Sequence, residues 1–335
     1  EDADFHSNLG LAYGELGKYE EAIESYRQAI GIDPEDADAH GNLGNAYGEL
    51  GKHQEAIESY RQAIRIDPDY AWVHSNLGLA YYELGKYEEA IESYKQAIEI
   101  DPDYASAHNN LGIAYYDSGK YEEAIESYRQ AIGIDPEDAD FHSNLGLAYG
   151  ELGKHQEAIE SYRHAIRIDP DHANAHNNLG LAYYELGKYQ EAIESYRQAI
   201  GIDPEDADFH SNLGIAYYDS GKYEEAIESY KQAIRIDPDY AWAHNNLGLA
   251  YYDSGKYEEA IESYKQAIRI DPDYAWAHSN LGLAYSDLGK HEEAIESHKQ
   301  AIRLDPDDAD AHDNLGYTYN LLGKYKEAIK SHKQA

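Results

Sequence analysis

Apolar residues recur three and four positions apart along the whole chain, the spacing of one helix face. Between Ala241 and Tyr274, for example, Ala243, Leu247, Ala250 and Tyr251 form a first stripe. Tyr257, Ala260, Ile261, Tyr264, Ala267 and Ile268 form a second. Gly255 separates them, and a glycine just past a helix takes the left-handed C′ conformation at little cost. Asp237-Pro238 precedes the pair and is expected to open it, proline fixing φ and the acid favouring the helix dipole. Asp271-Pro272 is expected to stop it. Glu258, Glu259 and Glu262 take the other face of the second helix, with Lys265 as an intrahelical partner for Glu262. Period-2 alternation is absent, so the pattern predicts paired helices and no strands.

This pair is one copy of a unit. Asn-Leu-Gly begins at Asn8, Asn42, Asn76, Asn110, Asn144, Asn178, Asn212, Asn246, Asn280 and Asn314, always 34 residues apart. Asp-Pro keeps the same period from Asp33-Pro34 to Asp305-Pro306 and accounts for all 9 prolines. Some copies are identical over long stretches: Ala216 to His244 recurs as Ala250 to His278, and Glu1 to Lys18 as Glu137 to Lys154. A period of this length marks an array in which each unit buries its apolar face against its neighbours. Residues 1–335 therefore read as a single array of about ten repeats, the last truncated. The start at Glu1-Asp2 and the absence of Met point to part of a longer or processed chain.

The period changes the meaning of the composition. The net charge of −38, from 65 acids and 27 bases, becomes about −4 per repeat, an acidic field spread along the array. It argues against nucleic acid, whose phosphates call for Lys and Arg, and against an anionic membrane surface. No run approaches the ~18 apolar residues of a membrane span, so membrane insertion is not expected. A soluble chain follows, cytoplasmic or in an extracellular filament. Aromatic content, 35 Tyr with 3 Phe and 3 Trp, argues against acidic disorder. Without Cys there is neither a disulfide nor a thiolate site.

Leu247, Gly248, Tyr251, Ala260, Tyr264, Ala267 and Pro272, with their equivalents in the other units, resemble the small and large signature positions of the tetratricopeptide repeat (TPR) family. The resemblance covers the whole chain. It implies an all-α fold, a right-handed superhelical solenoid of tandem helix-turn-helix units, whose first helices line a concave groove. It also implies the family's usual role, a non-enzymatic protein–protein interaction scaffold. Gly248 and Ala260 lack bulk, so the two helices of a unit can approach closely. The family's frequent Trp near the start of the first helix is His here, from His6 to His312 in every unit. Neighbouring units sit ~10 Å apart, too far for two such histidines to share an ion, so a packed imidazole is expected rather than a metal site.

The implied groove would carry the ten Asn of Asn-Leu-Gly. An Asn side chain both donates and accepts, so it can grip a peptide backbone without reading its sequence, or bond a neighbouring helix instead. A similar asparagine ladder belongs to the repeat arm of O-linked N-acetylglucosamine transferases. Beside it run Tyr82, Tyr116, Tyr184, Tyr218 and Tyr252, each followed by an acid, among them Glu83 and Asp117; Trp72, Trp242 and Trp276 are expected at the same edge. The acids either shape a groove for a basic or neutral extended peptide or form a solvated face. The Lys/Arg clamp of family members that bind acidic chaperone tails is missing: Ser7, Asn109, Leu79 and Glu83 stand there.

Catalysis finds no support, because nothing breaks the periodicity to build a unique nucleophile, base and oxyanion hole. No cofactor is expected. The loop acids Asp33, Glu35, Asp36 and Asp38 lack the glycine and closing Glu of an EF-hand loop. The Ser column from Ser25 to Ser331 is expected to face solvent, with O-linked sugar the alternative. The last unit departs from the pattern and is basic, with Lys324, Lys326, Lys330 and Lys333. Leu9 and Tyr13 at one end, and Tyr317, Lys326 and Lys330 at the other, are candidate end-to-end contacts. Through them the chain would stack on itself head to tail into a filament, the alternative to a peptide scaffold.

Overall fold

A computed structural model describes residues 2–335. It contains twenty α-helices, paired into hairpins whose first helix has 13 residues and whose second has 14 until the shorter last one. The contacts group the chain into two units, divided between Pro170 and Asp171. The first holds α1 (Ala3–Glu15), α2 (Tyr19–Ile32), α3 (Ala37–Glu49), α4 (His53–Ile66), α5 (Ala71–Glu83), α6 (Tyr87–Ile100), α7 (Ala105–Asp117), α8 (Tyr121–Ile134), α9 (Ala139–Glu151) and α10 (His155–Ile168). The second holds α11 (Ala173–Glu185), α12 (Tyr189–Ile202), α13 (Ala207–Asp219), α14 (Tyr223–Ile236), α15 (Ala241–Asp253), α16 (Tyr257–Ile270), α17 (Ala275–Asp287), α18 (His291–Leu304), α19 (Ala309–Leu321) and α20 (Tyr325–His332). Within each unit every second helix packs on its own first helix and on the next one, the stacking of a helical solenoid.

The residues that close a hairpin are those of the sequence pattern. Gly248 lies in α15 directly beneath the ring of Tyr264 in α16, and a Cβ there would stand 2.5 Å from the ring. Tyr264 is 1% exposed, with Ala260 and Ala267 fully buried beside it. The same glycine–tyrosine contact recurs at Gly44–Tyr60, Gly112–Tyr128 and Gly214–Tyr230. Gly255 holds φ at 77°, which lets the chain reverse after α15.

Two sequence expectations are corrected, and a third gains a role. Asp-Pro belongs to the turn and does not open the next helix: Asp237 is the C-cap of α14, and its carboxylate accepts from the Asp239 amide at 3.0 Å. The N-cap comes three residues after the acid. Where it is aspartate, as at Asp36, Asp138, Asp206 and Asp308, its carboxylate takes a backbone N–H of the first turn. The Ser column does not face solvent. Ser25, Ser93 and Ser229 are buried, and each hydroxyl donates to the carbonyl four residues back at 2.9 Å. A buried, back-bonded hydroxyl is no acceptor for sugar either. The His column is packed as expected and also bonds the backbone. His40, His74, His108, His210 and His278 each donate Nε2–H to the carbonyl of the proline six residues earlier, at 3.0–3.1 Å. In these repeats one imidazole thereby fastens the Asp-Pro turn to the helix after it.

Candidate functional site

In both units the first helices supply the open face. Leu79 and Leu181 are 46% and 45% exposed on it, although each lies between buried positions. Clefts run between consecutive first helices. One of about 480 Å³ is lined by Asn45, Glu49, His53, Asn76, Leu79 and Glu83 in the first unit. In the second unit one of about 310 Å³ lies among Tyr184, Tyr218, Asp219, Trp242, Asn246 and Leu249. A third, of about 500 Å³, shares Trp242, Asn246 and Leu249 with it and extends to Trp276, Asn280 and Asn314. Amide, carboxylate and apolar side chains thus alternate along one face.

The asparagine ladder divides into two sets. Asn144 donates its amide to Asn109 at 3.0 Å, Asn212 to Asn177 at 3.0 Å and Asn280 to Asn245 at 3.1 Å, each reaching one hairpin back. Asn76 reaches Asn45 at 2.9 Å, whose oxygen also accepts from Tyr60. These four fasten neighbouring hairpins. Among the described residues Asn42, Asn110, Asn246 and Asn314 donate to no other side chain, and Asn8 is exposed. Asn178 and Asn246 accept weakly, at 3.3 and 3.4 Å, from the Asn before each. The reason is local. Ser75, Ser143, Ser211 and Ser279 precede one set, whereas Gly41, Asn109, Asn177, Asn245 and Asp313 precede the other. Only an Asn in the preceding hairpin is long enough to meet the next ladder amide. This 68-residue alternation was visible in the sequence beside the 34-residue period, yet the period alone does not call attention to it.

The tyrosines and acids are likewise joined. The Tyr82 hydroxyl donates to Asp117, Tyr184 to Asp219, Tyr218 to Asp253 and Tyr252 to Asp287, all 35 residues on. Tyr116 reaches Glu151 at 3.1 Å. Burial, with the neighbouring acid, raises each of these phenols, that of Tyr116 to about 12. These five acids are clasps between hairpins. Glu83 is exposed. Arginines of the second helices add to the clasp, Arg27 donating to the Tyr47 hydroxyl and Arg129 to that of Tyr149, both at 2.6 Å.

The three tryptophans differ in how far they stand out. Trp72 lies against Gly41, where a Cβ would come within 2.5 Å of the indole. Ser211, fully buried, takes the corresponding place before Trp242. Asn245 takes it before Trp276, which is 65% exposed. Of the candidate end residues, Leu9 and Tyr13 are half-buried, while Tyr317, Lys326 and Lys330 are exposed. Among the described residues no group of His, Asp and Glu is placed to hold a metal ion, and no helix is long and apolar enough to cross a membrane.

Tandem helical hairpins, each closed on a glycine by a tyrosine or, in the last two, a histidine, and stacked through its second helix, define a helical-repeat protein of the solenoid class. A family model for the cilia and flagella-associated protein 70 C-terminal domain matches residues 2–208. A TPR repeat model matches 216–255, 248–289 and 284–323, and a further tetratricopeptide repeat model matches 195–228. The chain belongs to the tetratricopeptide repeat family. Among solved structures it is similar to MamA, at 30% identity over 49% of this chain and 96% of that one, with a TM-score of 0.46. It is also similar to YrrB, described as a TPR protein with an unusual peptide-binding site, at 24% identity over 56% and 96%, with a TM-score of 0.48. No curated protein sequence matches it.

Proposed function

We propose that the chain is a non-enzymatic scaffold that holds an extended, neutral or basic peptide along its first helices. The observation that carries this reading is the division of the asparagines. Four amides are spent on holding hairpins together, which leaves Asn42, Asn110, Asn246 and Asn314 among those able to bond a peptide backbone in both senses. Exposed leucines such as Leu79 and Leu181 offer seats for apolar side chains between them. Replacing those four asparagines by Ala is expected to abolish capture of neutral and basic decapeptides on a peptide array while leaving the helical circular dichroism unchanged. Undiminished capture would remove the basis of the proposal.

A further inference from the structure

We propose that the cleft formed by α15, α17 and α19 is an arginine-selective subsite, in which a ligand guanidinium stacks on the indole of Trp276 and donates to Asp308 and Asp310. The proposal deepens the peptide reading and rests on it. Its first support is the exposure of Trp276. An indole left 65% in water at the edge of a cleft is an apolar plane without a cover. Trp72 finds its cover in the notch above Gly41, but Asn245 fills the corresponding space before Trp276 and is itself 2% exposed, held by its bonds to Asn246 and Asn280. Trp276 has no notch to lie in.

The second support is charge. Asp308, Asp310 and Asp313 line the same cleft. Asp313 is committed to His332, whose Nδ1 lies 2.7 Å away. Asp308 spends one oxygen on the Ala311 amide at 3.1 Å, which leaves the other available. Asp310 is exposed. The cleft therefore combines an uncovered aromatic plane with carboxylates whose acceptor capacity is unspent. A guanidinium is flat, so it stacks on an indole while its edge donates in plane to carboxylates; an ammonium cannot do both. The cleft, at about 500 Å³, has room for one such side chain, and Asn246, Asn280 and Asn314 line it as well.

The test uses the full chain with Trp72→Phe and Trp242→Phe, so that Trp276 is the sole indole. The probes are acetylated heptapeptides of Gly, Ser and Ala with a central arginine, lysine or citrulline, the last keeping arginine's shape without its charge. Binding is followed by calorimetry and by Trp276 emission. The arginine peptide is expected to bind about tenfold tighter than the citrulline peptide, to shift the emission, and to outbind the lysine peptide. Asp308→Asn with Asp310→Asn is expected to erase that preference without weakening the citrulline peptide, since Asn caps a helix as well as Asp. Asp69→Asn with Asp103→Asn changes the net charge equally and is expected to leave the preference intact. Equal binding of the arginine and citrulline peptides overturns the subsite but not the groove. A preference that survives the change of Asp308 and Asp310, or that falls equally with Asp69 and Asp103, overturns it in favour of general charge attraction. Failure of all three peptides to bind overturns both readings.

Discussion

The side-chain amide of Asn144 donates to Oδ1 of Asn109 across 3.0 Å, joining α9 to α7 one hairpin back. An asparagine that looks like a ligand-binding residue by its regularity is here a strut between repeats. Asn144→Ala leaves the Asn109 carbonyl without its donor. It is expected to lower stability by about 1 kcal/mol, and a double-mutant cycle with Asn109→Ala is expected to show coupling of similar size. Asn110→Ala, in the other set, is expected to change stability by less than about 0.5 kcal/mol. Urea unfolding of the unaltered chain and the four variants measures all of this.

Two helical glycines are expected to respond to alanine with opposite sign. At Gly112 a new Cβ would stand 2.5 Å from the buried Tyr128 ring, so α7 and α8 must part. Gly112→Ala is expected to cost about 1–3 kcal/mol, the range for overpacked cores. At Gly133, near the end of α8, a Cβ would meet nothing within 4 Å. Gly133→Ala is expected to stabilise by about 0.5–1 kcal/mol through helix propensity. Thermal melts with the two variants side by side give both signs.

His298 carries a pH dependence. It takes the place of the hairpin-closing tyrosine, is fully buried, and neither ring nitrogen has a partner. Burial pushes its imidazole down to about 4. A proton then binds the unfolded chain, near 6.5, more readily than the folded one, so stability rises with pH across this window and is lost as pH falls from 6.5 toward 4. The loss on full protonation is on the order of 3 kcal/mol. His298→Tyr restores the residue that fits above the glycine in other hairpins and is expected to flatten this slope. Urea midpoints between pH 4 and 7 compare the two chains.

The clasp tyrosines act at the other end of the pH scale. Burial, then the bond to Asp253, raises the Tyr218 phenol. Its stabilising effect is complete below pH 10, the unfolded value, and is lost as pH climbs through the higher folded value. Tyr218→Phe is expected to cost about 1 kcal/mol near neutrality, as for a hydrogen bond to a charged group that is partly open to water, and to weaken the alkaline dependence. Chemical denaturation at pH 7 and at pH 11 checks both parts.

Much of the fold was legible because it is repeated. The helical stripes, Gly255 after the first helix and the close approach at Gly248 follow from spacing and side-chain volume, and ten copies agree on them. The site was less legible for the same reason. A strict period at Asn8 through Asn314 gives every asparagine the same apparent role, while the role turns on what the preceding hairpin offers, Asn109 to Asn144 but Ser75 to Asn110. Tyr82 and Asp117 read as independent groove residues because nothing in linear order says that a hydroxyl on one hairpin meets a carboxylate on another. The exposure of Trp276 depends on a single residue, Asn245 where Gly41 stands earlier, and such a difference is small beside the period that surrounds it.

On the proposed reading, the unspent asparagines grip a peptide backbone. Selective 15N labelling of asparagine, with the side-chain amides assigned by substitution, reads this directly during titration with the arginine heptapeptide. Shifts are expected at Asn246 and Asn314, while Asn212 and Asn280 stay in place. A bound peptide that leaves Asn246 and Asn314 unmoved contradicts it.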